Sequence, residues 1–276
     1  MRTSALAILL TAGAAQAGPP SADAIVAKAS AYVAQYEAAL GGLVAEETYT
    51  QQRSSRSRSA SQRQTRRLTS DFMLVKFTQD EPWIPFRDVI SVDGNPVGDR
   101  AARLEQLFLK PGAEARKDAS RIANEGARYN LGSMYRNINV PVLGLEYLRA
   151  ANAARCRFGS PRRETVDRQA AWKIDYRELA GPTVIRDGRT GGNVPAHGTV
   201  WIRESDGAVM RTILRTANRV SEVEIDVKYC QAPAIDVLVP CRMSEHYDVP
   251  AEQITGTATY TNIRQFKVTT TETIKH

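Results

Sequence analysis

The stretch that most restricts the fold is residues 198–268, where strand-length runs alternate apolar and polar residues between turn signals. Thr199-Val200-Trp201-Ile202-Arg203 leads into Ser205-Asp206-Gly207, which suits a type I turn closed by a glycine in a G1 bulge. That turn is expected to set Glu204 opposite Ala208. Val200, Ile202, Met210 and Leu214 then share one face, and Trp201, Arg203, Arg211 and Arg215 the other. Glu222-Val223-Glu224-Ile225-Asp226-Val227-Lys228-Tyr229 alternates strictly, as a half-buried strand does. Pairing Arg215 with Glu222 would bring Arg211 to Asp226, and a following strand would unite Val227 with Met243 and Val223 with Tyr247. One face is then apolar over four strands and the other is laced with opposite charges.

The apolar face comprises Val200, Ile202, Met210, Leu214, Val223, Ile225, Val227, Tyr229, Met243 and Tyr247. Left bare it would exceed the few hundred Å2 of contiguous apolar patch that soluble monomers expose, so something must cover it. Helices at residues 21–40 and 99–150 are the available material. A cavity beneath them would make this face a ligand-binding surface, and dense packing would make it a scaffold core. The two methionines suit a face that adapts to varied cargo. Glu222, Glu224 and Asp226 lie on the opposite face, where the facing arginines explain them as ion pairs rather than as catalytic carboxylates. Trp201 against Arg211 is expected to form a cation–π contact there.

The first residues have the form of a secretory signal: Arg2, the apolar run from Ala5 to Leu10, and Ala15-Gln16-Ala17 as a small-x-small cleavage site before Gly18-Pro19-Pro20. The apolar run is too short to span a bilayer. The expected organisation is therefore a signal peptide at 1–17 and one domain at 18–276, with a periplasmic or secreted location. The formal net charge of +7 is carried mostly by arginine, which favours anionic partners. For an exported chain, nucleic acid is not the expected one.

In an oxidising compartment three cysteines allow one internal disulfide. Cys230 and Cys241 flank one hairpin and are the nearest pair, but a regular register puts their sulfurs on opposite faces. Bonding them requires a bulge, which Pro233 and Pro240 could supply. Cys156 would remain free.

Ser21-Ala22-Asp23 caps an expected helix to about Leu40, with Ile25, Ala29, Tyr32, Val33, Tyr36 and Leu40 along one stripe. Residues 43–52 read as a strand on which Glu46 and Glu47 face opposite ways, both taken as solvated. Residues 53–67 hold six arginines and five serines with no acid. They read as a mobile loop whose Arg53, Arg56, Arg58 and Arg63 could meet an anionic membrane surface. Strands follow at 64–77 and up to Val92, then a turn at Asp93-Gly94. Amphipathic and polar helices are expected over 99–124, irregular chain over 126–139 and a helix opened by Pro141. Further strands are expected at 155–158, 170–179 and 183–186.

His197, His246 and His276 form no metal-ligand spacing, and there is no nucleophile elbow, nucleotide fingerprint or phosphate-binding loop. No cofactor or metal is expected.

Val200-Trp201-Ile202 before a turn and Met210-Arg211, Val239-Pro240 with Met243-Ser244-Glu245-x-Tyr247, and Ala258-x-Tyr260-Thr261-Asn262-x-Arg264-x-Phe266 are similar to exported bacterial proteins of uncharacterised function. Val92-Asp93-Gly94-Asn95-Pro96-Val97 with Asp99-Arg100 and Arg103-Leu104 is similar to the same group. More distantly, the arrangement resembles the periplasmic lipoprotein-carrier (LolA/LolB-like) half-barrel family. The resemblance implies a concave apolar sheet closed by helices, able to shelter acyl chains or an apolar peptide. That family's functional residues have no one-to-one match here. The expected fold class is α+β, mainly antiparallel β: a curved half-barrel sheet with an N-terminal helix and a helical insertion at about 99–150. The expected function is a non-catalytic carrier of a lipid, lipoprotein acyl chain or other apolar small molecule. The alternatives are a structural or sensory cell-envelope module with a packed core, and an exported hydrolase.

Overall fold

A computed structural model describes residues 20–39, 43–56, 63–75, 84–102, 105, 121, 124–133, 136, 138–179, 181–188, 190–217, 221–233 and 235–265. The signal sequence, Arg58, Leu40 and most of the helices expected at 99–124 lie outside these residues.

The first described element is α1 (Ala22–Ala39), capped by Ser21, whose hydroxyl accepts a hydrogen bond from the Ala24 N–H at 3.2 Å. Ile25, Ala29, Tyr32, Val33 and Tyr36 are buried on one stripe, as their spacing requires, and Val26 joins them. The strands that follow are β1 (Leu43–Ser55), β2 (Arg63–Val75), β3 (Ile84–Val92) and β4 (Asn95–Pro96). A 3-10 helix at Leu143–Leu148 and a short α2 (Ala150–Ala153) lead to β5 (Cys156–Phe158), β6 (Arg162–Val166), β7 (Gln169–Glu178), β8 (Ile185–Arg186) and β9 (Asn193–Val194). The last described elements are β10 (Ala196–Arg203), β11 (Val209–Ala217), β12 (Glu222–Ala232), β13 (Ile235–Val249) and β14 (Glu252–Gln265).

Among the described residues these form one open, antiparallel half-barrel of twelve strands, with the small β8–β9 pair beside it. The order is β4-β3-β2-β1-β14-β13-β12-β11-β10-β7-β5, and β6 also pairs with β7. Among the described strands the last therefore returns to lie beside the first, so β1 and β14 join the N-terminal and C-terminal meanders.

The alternation in 198–268 organises the sheet as its pattern requires. Val227 stands opposite Met243, and Val223 opposite Tyr247. The hairpin between β10 and β11 closes one residue earlier than the turn signal suggests: the Arg203 N–H donates to the Ala208 carbonyl, and Gly207 sits at φ 80°. Between β11 and β12 the register differs from expectation by two residues, with Arg215 opposite Glu224 rather than Glu222. A shift of two preserves the faces. Arg211 consequently faces Lys228 and reaches Asp226 diagonally at 2.8 Å, while Arg215 meets Glu224 at 2.7 Å. The Trp201 ring lies under Arg211, 4.8 Å from its guanidinium carbon.

Strand β6 has no counterpart in the sequence reading. Its hairpin turns at Asp167-Arg168, both at positive φ, without the Gly or Asn that ordinarily marks such a turn. A register shift after Lys228 leaves Cys241 as a bulge opposite the step to Tyr229, and it bonds to Cys230 with a Cα–Cα distance of 5.7 Å. Cys156 is free and half-buried. Burial pushes its thiol up to about 11, and the nearby Glu178 carboxylate adds to this. At pH 7.5 its alkylation by iodoacetamide is expected to be on the order of a hundredfold slower than that of an ordinary exposed thiol. Mass spectrometry against a peptide standard checks this, and equal rates would contradict it.

Candidate functional site

Parity along each strand defines the inner face. On β10 to β13 it presents Val200, Ile202, Met210, Leu214, Val223, Ile225, Val227, Tyr229, Met243 and Tyr247, and all of them are buried. The cover is α1 together with the 3-10 helix. Lys28 of α1 donates to the carbonyls of Glu204 and Ser205 at 2.9 and 2.8 Å, which tethers the helix to the β10–β11 hairpin tip. The missing Cβ of Gly207 allows this approach, since one placed there would lie 2.8 Å from the Lys28 carbonyl oxygen. The Leu238 N–H donates to the Tyr32 hydroxyl at 2.7 Å. Tyr229 donates to the Pro141 carbonyl at 2.8 Å, tying the segment before the 3-10 helix to the sheet.

Tyrosines concentrate where cover and sheet meet. Tyr36 comes from α1, Tyr147 from the 3-10 helix and Tyr176 from β7. Tyr147 and Tyr176 stack with ring centroids 5.0 Å apart. The hydroxyls of all three are buried and have no hydrogen-bond partner among the described residues. Burial pushes each phenol upward, so each stays protonated and able to donate. Unpaired buried hydroxyls are rare and call for a physical account.

The other half of the inner face is polar, which the sequence reading missed. Glu47 of β1 is fully buried, not solvated; it accepts hydrogen bonds from Arg87 of β3, one of them at 2.8 Å. Arg136 and Glu245 are both completely buried and pair at 2.6 Å. Arg136 also donates to Gln51 and, at 2.9 Å, to the Leu131 carbonyl. Tyr49 and Tyr247 donate to Glu245, the latter at 3.1 Å. Asn139 donates to Tyr49 at 3.2 Å, and Asn130 donates to the Arg136 carbonyl at 2.8 Å. The described residues of the segment expected to be irregular at 126–139 thus form a polar plug over β1, β13 and β14. Glycines admit it: a Cβ on Gly256 would stand 2.5 Å from the Glu245 carboxylate, and one on Gly132 2.4 Å from Ile254.

The basic stretch is corrected in the same way. Arg53 belongs to β1 and pairs with the buried Glu252, Arg56 pairs with Asp248 at 2.6 Å, and Arg66 donates to the Tyr129 carbonyl at 2.9 Å. Among the described arginines assigned to a membrane surface, Arg56 and Arg63 are exposed, and Arg63, at the start of β2, is the one of the two without an ion pair to an acid. Burial alone would push the Glu252 carboxyl up, but hydrogen bonds from Arg53 and Ser133 outweigh it and hold the group below its ordinary range. A depressed carboxyl contributes stability above its unfolded value of about 4.5 and loses it as pH falls through the folded value. Glu252→Gln should cost about 1–3 kcal/mol at pH 7 and flatten the fall in stability below pH 4.5. Denaturation midpoints from pH 7 to 3 check this, and parallel curves would contradict it.

Among the described residues no group of three or more His, Cys, Asp or Glu side chains is placed to hold a metal ion. His197 and His246 lie on the outer face, apart from the inner-face networks.

No family model and no curated protein matches the chain. Three solved structures are similar in architecture. A domain named for outer membrane lipoprotein sorting, from Vibrio parahaemolyticus, aligns over 87% of this chain and 91% of its own, at 11% identity and a TM-score of 0.43. A LolA superfamily protein from Nitrosomonas europaea aligns over 91% and 96%, at 8% identity and a TM-score of 0.35. A DUF1329 family protein from Desulfovibrio piger aligns over 90% and 94%, at 10% identity and a TM-score of 0.39. At these identities the likeness is one of sheet architecture.

Proposed function

We propose that the protein is an exported, non-catalytic carrier that holds an acyl chain or other apolar ligand against the inner face of β10 to β13. The observation that carries this reading is the set of unpaired hydroxyls of Tyr36, Tyr147 and Tyr176, buried between that face and its cover. An acyl ligand has an apolar tail for Val200, Ile202, Met210, Leu214 and Val227, and a carboxyl or ester head that accepts hydrogen bonds from phenols. It would enter by displacing α1 and the 3-10 helix. The polar plug would hold the other half of the face closed while this happens. Export follows from the signal-like first residues, and Arg63 remains the arginine best placed to meet an anionic membrane surface.

A second reading, a cell-envelope module with a packed core, is favoured by the complete burial of Met243 and Tyr247 and the near-complete burial of Val227. Native mass spectrometry of the protein purified from its own compartment separates the two. Retention of a lipid-sized mass supports the carrier. A clean apo mass after gentle isolation supports the module.

A further inference from the structure

The outer face carries a row of side chains that stability does not explain. Arg157 of β5 stands opposite Arg177 of β7, Arg177 opposite His197 of β10, and His197 opposite Arg215 of β11. Neighbours in such a row have Cβ atoms about 4.5–5.5 Å apart, and like charges placed directly opposite one another are destabilising. The acids nearby do not neutralise the row. Glu224 engages Arg215 at 2.7 Å, at its far end. Asp175 is held by Arg162 at 2.8 Å and by the Thr199 hydroxyl at 2.7 Å. Among the described residues, the Arg157 and Arg177 side chains have no ion-pair or hydrogen-bond partner, and Arg157, Arg177 and His197 are exposed.

These side chains line an open groove of about 510 Å3, together with Gly159, Asp175 and Thr199. Four adjacent strands at about 4.8 Å spacing give a basic row roughly 14 Å long, longer than one carboxylate can fill. Guanidinium forks match the oxygens of phosphate bidentately, and opposed arginines become favourable once an anion lies between them.

We infer that this outer groove binds a phosphate-bearing ligand through Arg157, Arg177, His197 and Arg215. The site is separate from the inner face, and it stands whether or not that face carries cargo. Burial, with the flanking Arg177 and Arg215, holds the His197 imidazole below its ordinary range, so it is neutral near pH 7. An anion in the groove would reverse that direction and favour the protonated, donating ring.

The test is calorimetric titration of the full mature chain with inorganic pyrophosphate at low salt, repeated with Arg177→Gln, with Arg157→Gln/Arg177→Gln and with Arg67→Gln. Arg67→Gln removes the same charge from β2, at the other end of the sheet. Saturable binding is expected in the wild type and in Arg67→Gln, about tenfold or more weaker for each groove arginine removed. The thermal midpoint of the groove variants should be unchanged or higher, because the like-charge opposition is relieved. Proton NMR should show His197 titrating at higher pH with pyrophosphate present. A parallel arm uses vesicles of phosphatidylcholine with and without phosphatidylglycerol. Sedimentation with the anionic vesicles that is lost in Arg157→Gln/Arg177→Gln assigns the phosphate to a lipid head group at the groove, and pyrophosphate binding without such sedimentation assigns a soluble ligand. The inference is overturned if the wild type binds neither probe, or if Arg67→Gln weakens binding as much as Arg177→Gln.

Discussion

Replacing Arg136 by leucine is expected to cost about 3–5 kcal/mol, because it leaves a completely buried carboxylate, Glu245, without its charge partner. Gln51 and the Leu131 carbonyl lose a donor in the same change. For a chain of this size a loss of that order lowers the thermal midpoint by about 5–10 °C. The cost belongs to the uncompensated charge more than to the pair itself. Arg136→Leu with Glu245→Leu should therefore recover most of it, since apolar replacement of both members of a buried pair is often close to neutral. Denaturant unfolding of the wild type, the single variant and the double variant measures both parts. A single-variant loss below about 1 kcal/mol would mean that the plug at residues 126–139 is not seated on the sheet by Arg136.

The second large effect has two readouts of opposite benefit. Tyr36→Phe, Tyr147→Phe and Tyr176→Phe each remove a buried hydroxyl with no partner, and each is expected to stabilise the ligand-free protein by about 1 kcal/mol. In a packed module that is the whole effect. In a carrier the same hydroxyls hold the head of the ligand, so each substitution should also weaken binding by about two- to tenfold. The triple variant should be the most stable form and the poorest binder. Loss of stability at all three positions would show that these hydroxyls have partners in the folded chain.

Much of the architecture was legible because strand alternation is a local signal. Val223, Ile225, Val227 and Tyr229 declare their face without reference to any other part of the chain, and pairing with Met243 and Tyr247 follows. The shift of Arg215 from Glu222 to Glu224 was not legible, because the faces tolerate any even slip between β11 and β12. The polar plug was illegible for another reason: Glu47, Arg87, Arg136 and Glu245 are far apart in sequence, and only topology brings them together. One signal was available. Glu47 shares the parity of Ala45 and Tyr49, and Glu245 that of Met243 and Tyr247, so each stands on a face that must be buried. A charge at such a position requires a buried partner. The arginine-rich stretch misled in the opposite sense. Composition treats it as one segment, but Arg53 ends a strand beside Glu252 and Arg56 finds Asp248.

The most direct test of the carrier reading is titration of the folded wild-type protein with a dansylated fatty acid, with unlabelled fatty acid as competitor. The account predicts saturable uptake of one probe per chain, displaced by the competitor, and weaker by at least about tenfold in the Tyr36→Phe, Tyr147→Phe and Tyr176→Phe triple variant. No saturable uptake by the folded wild type, or uptake unchanged in the triple variant, would contradict it.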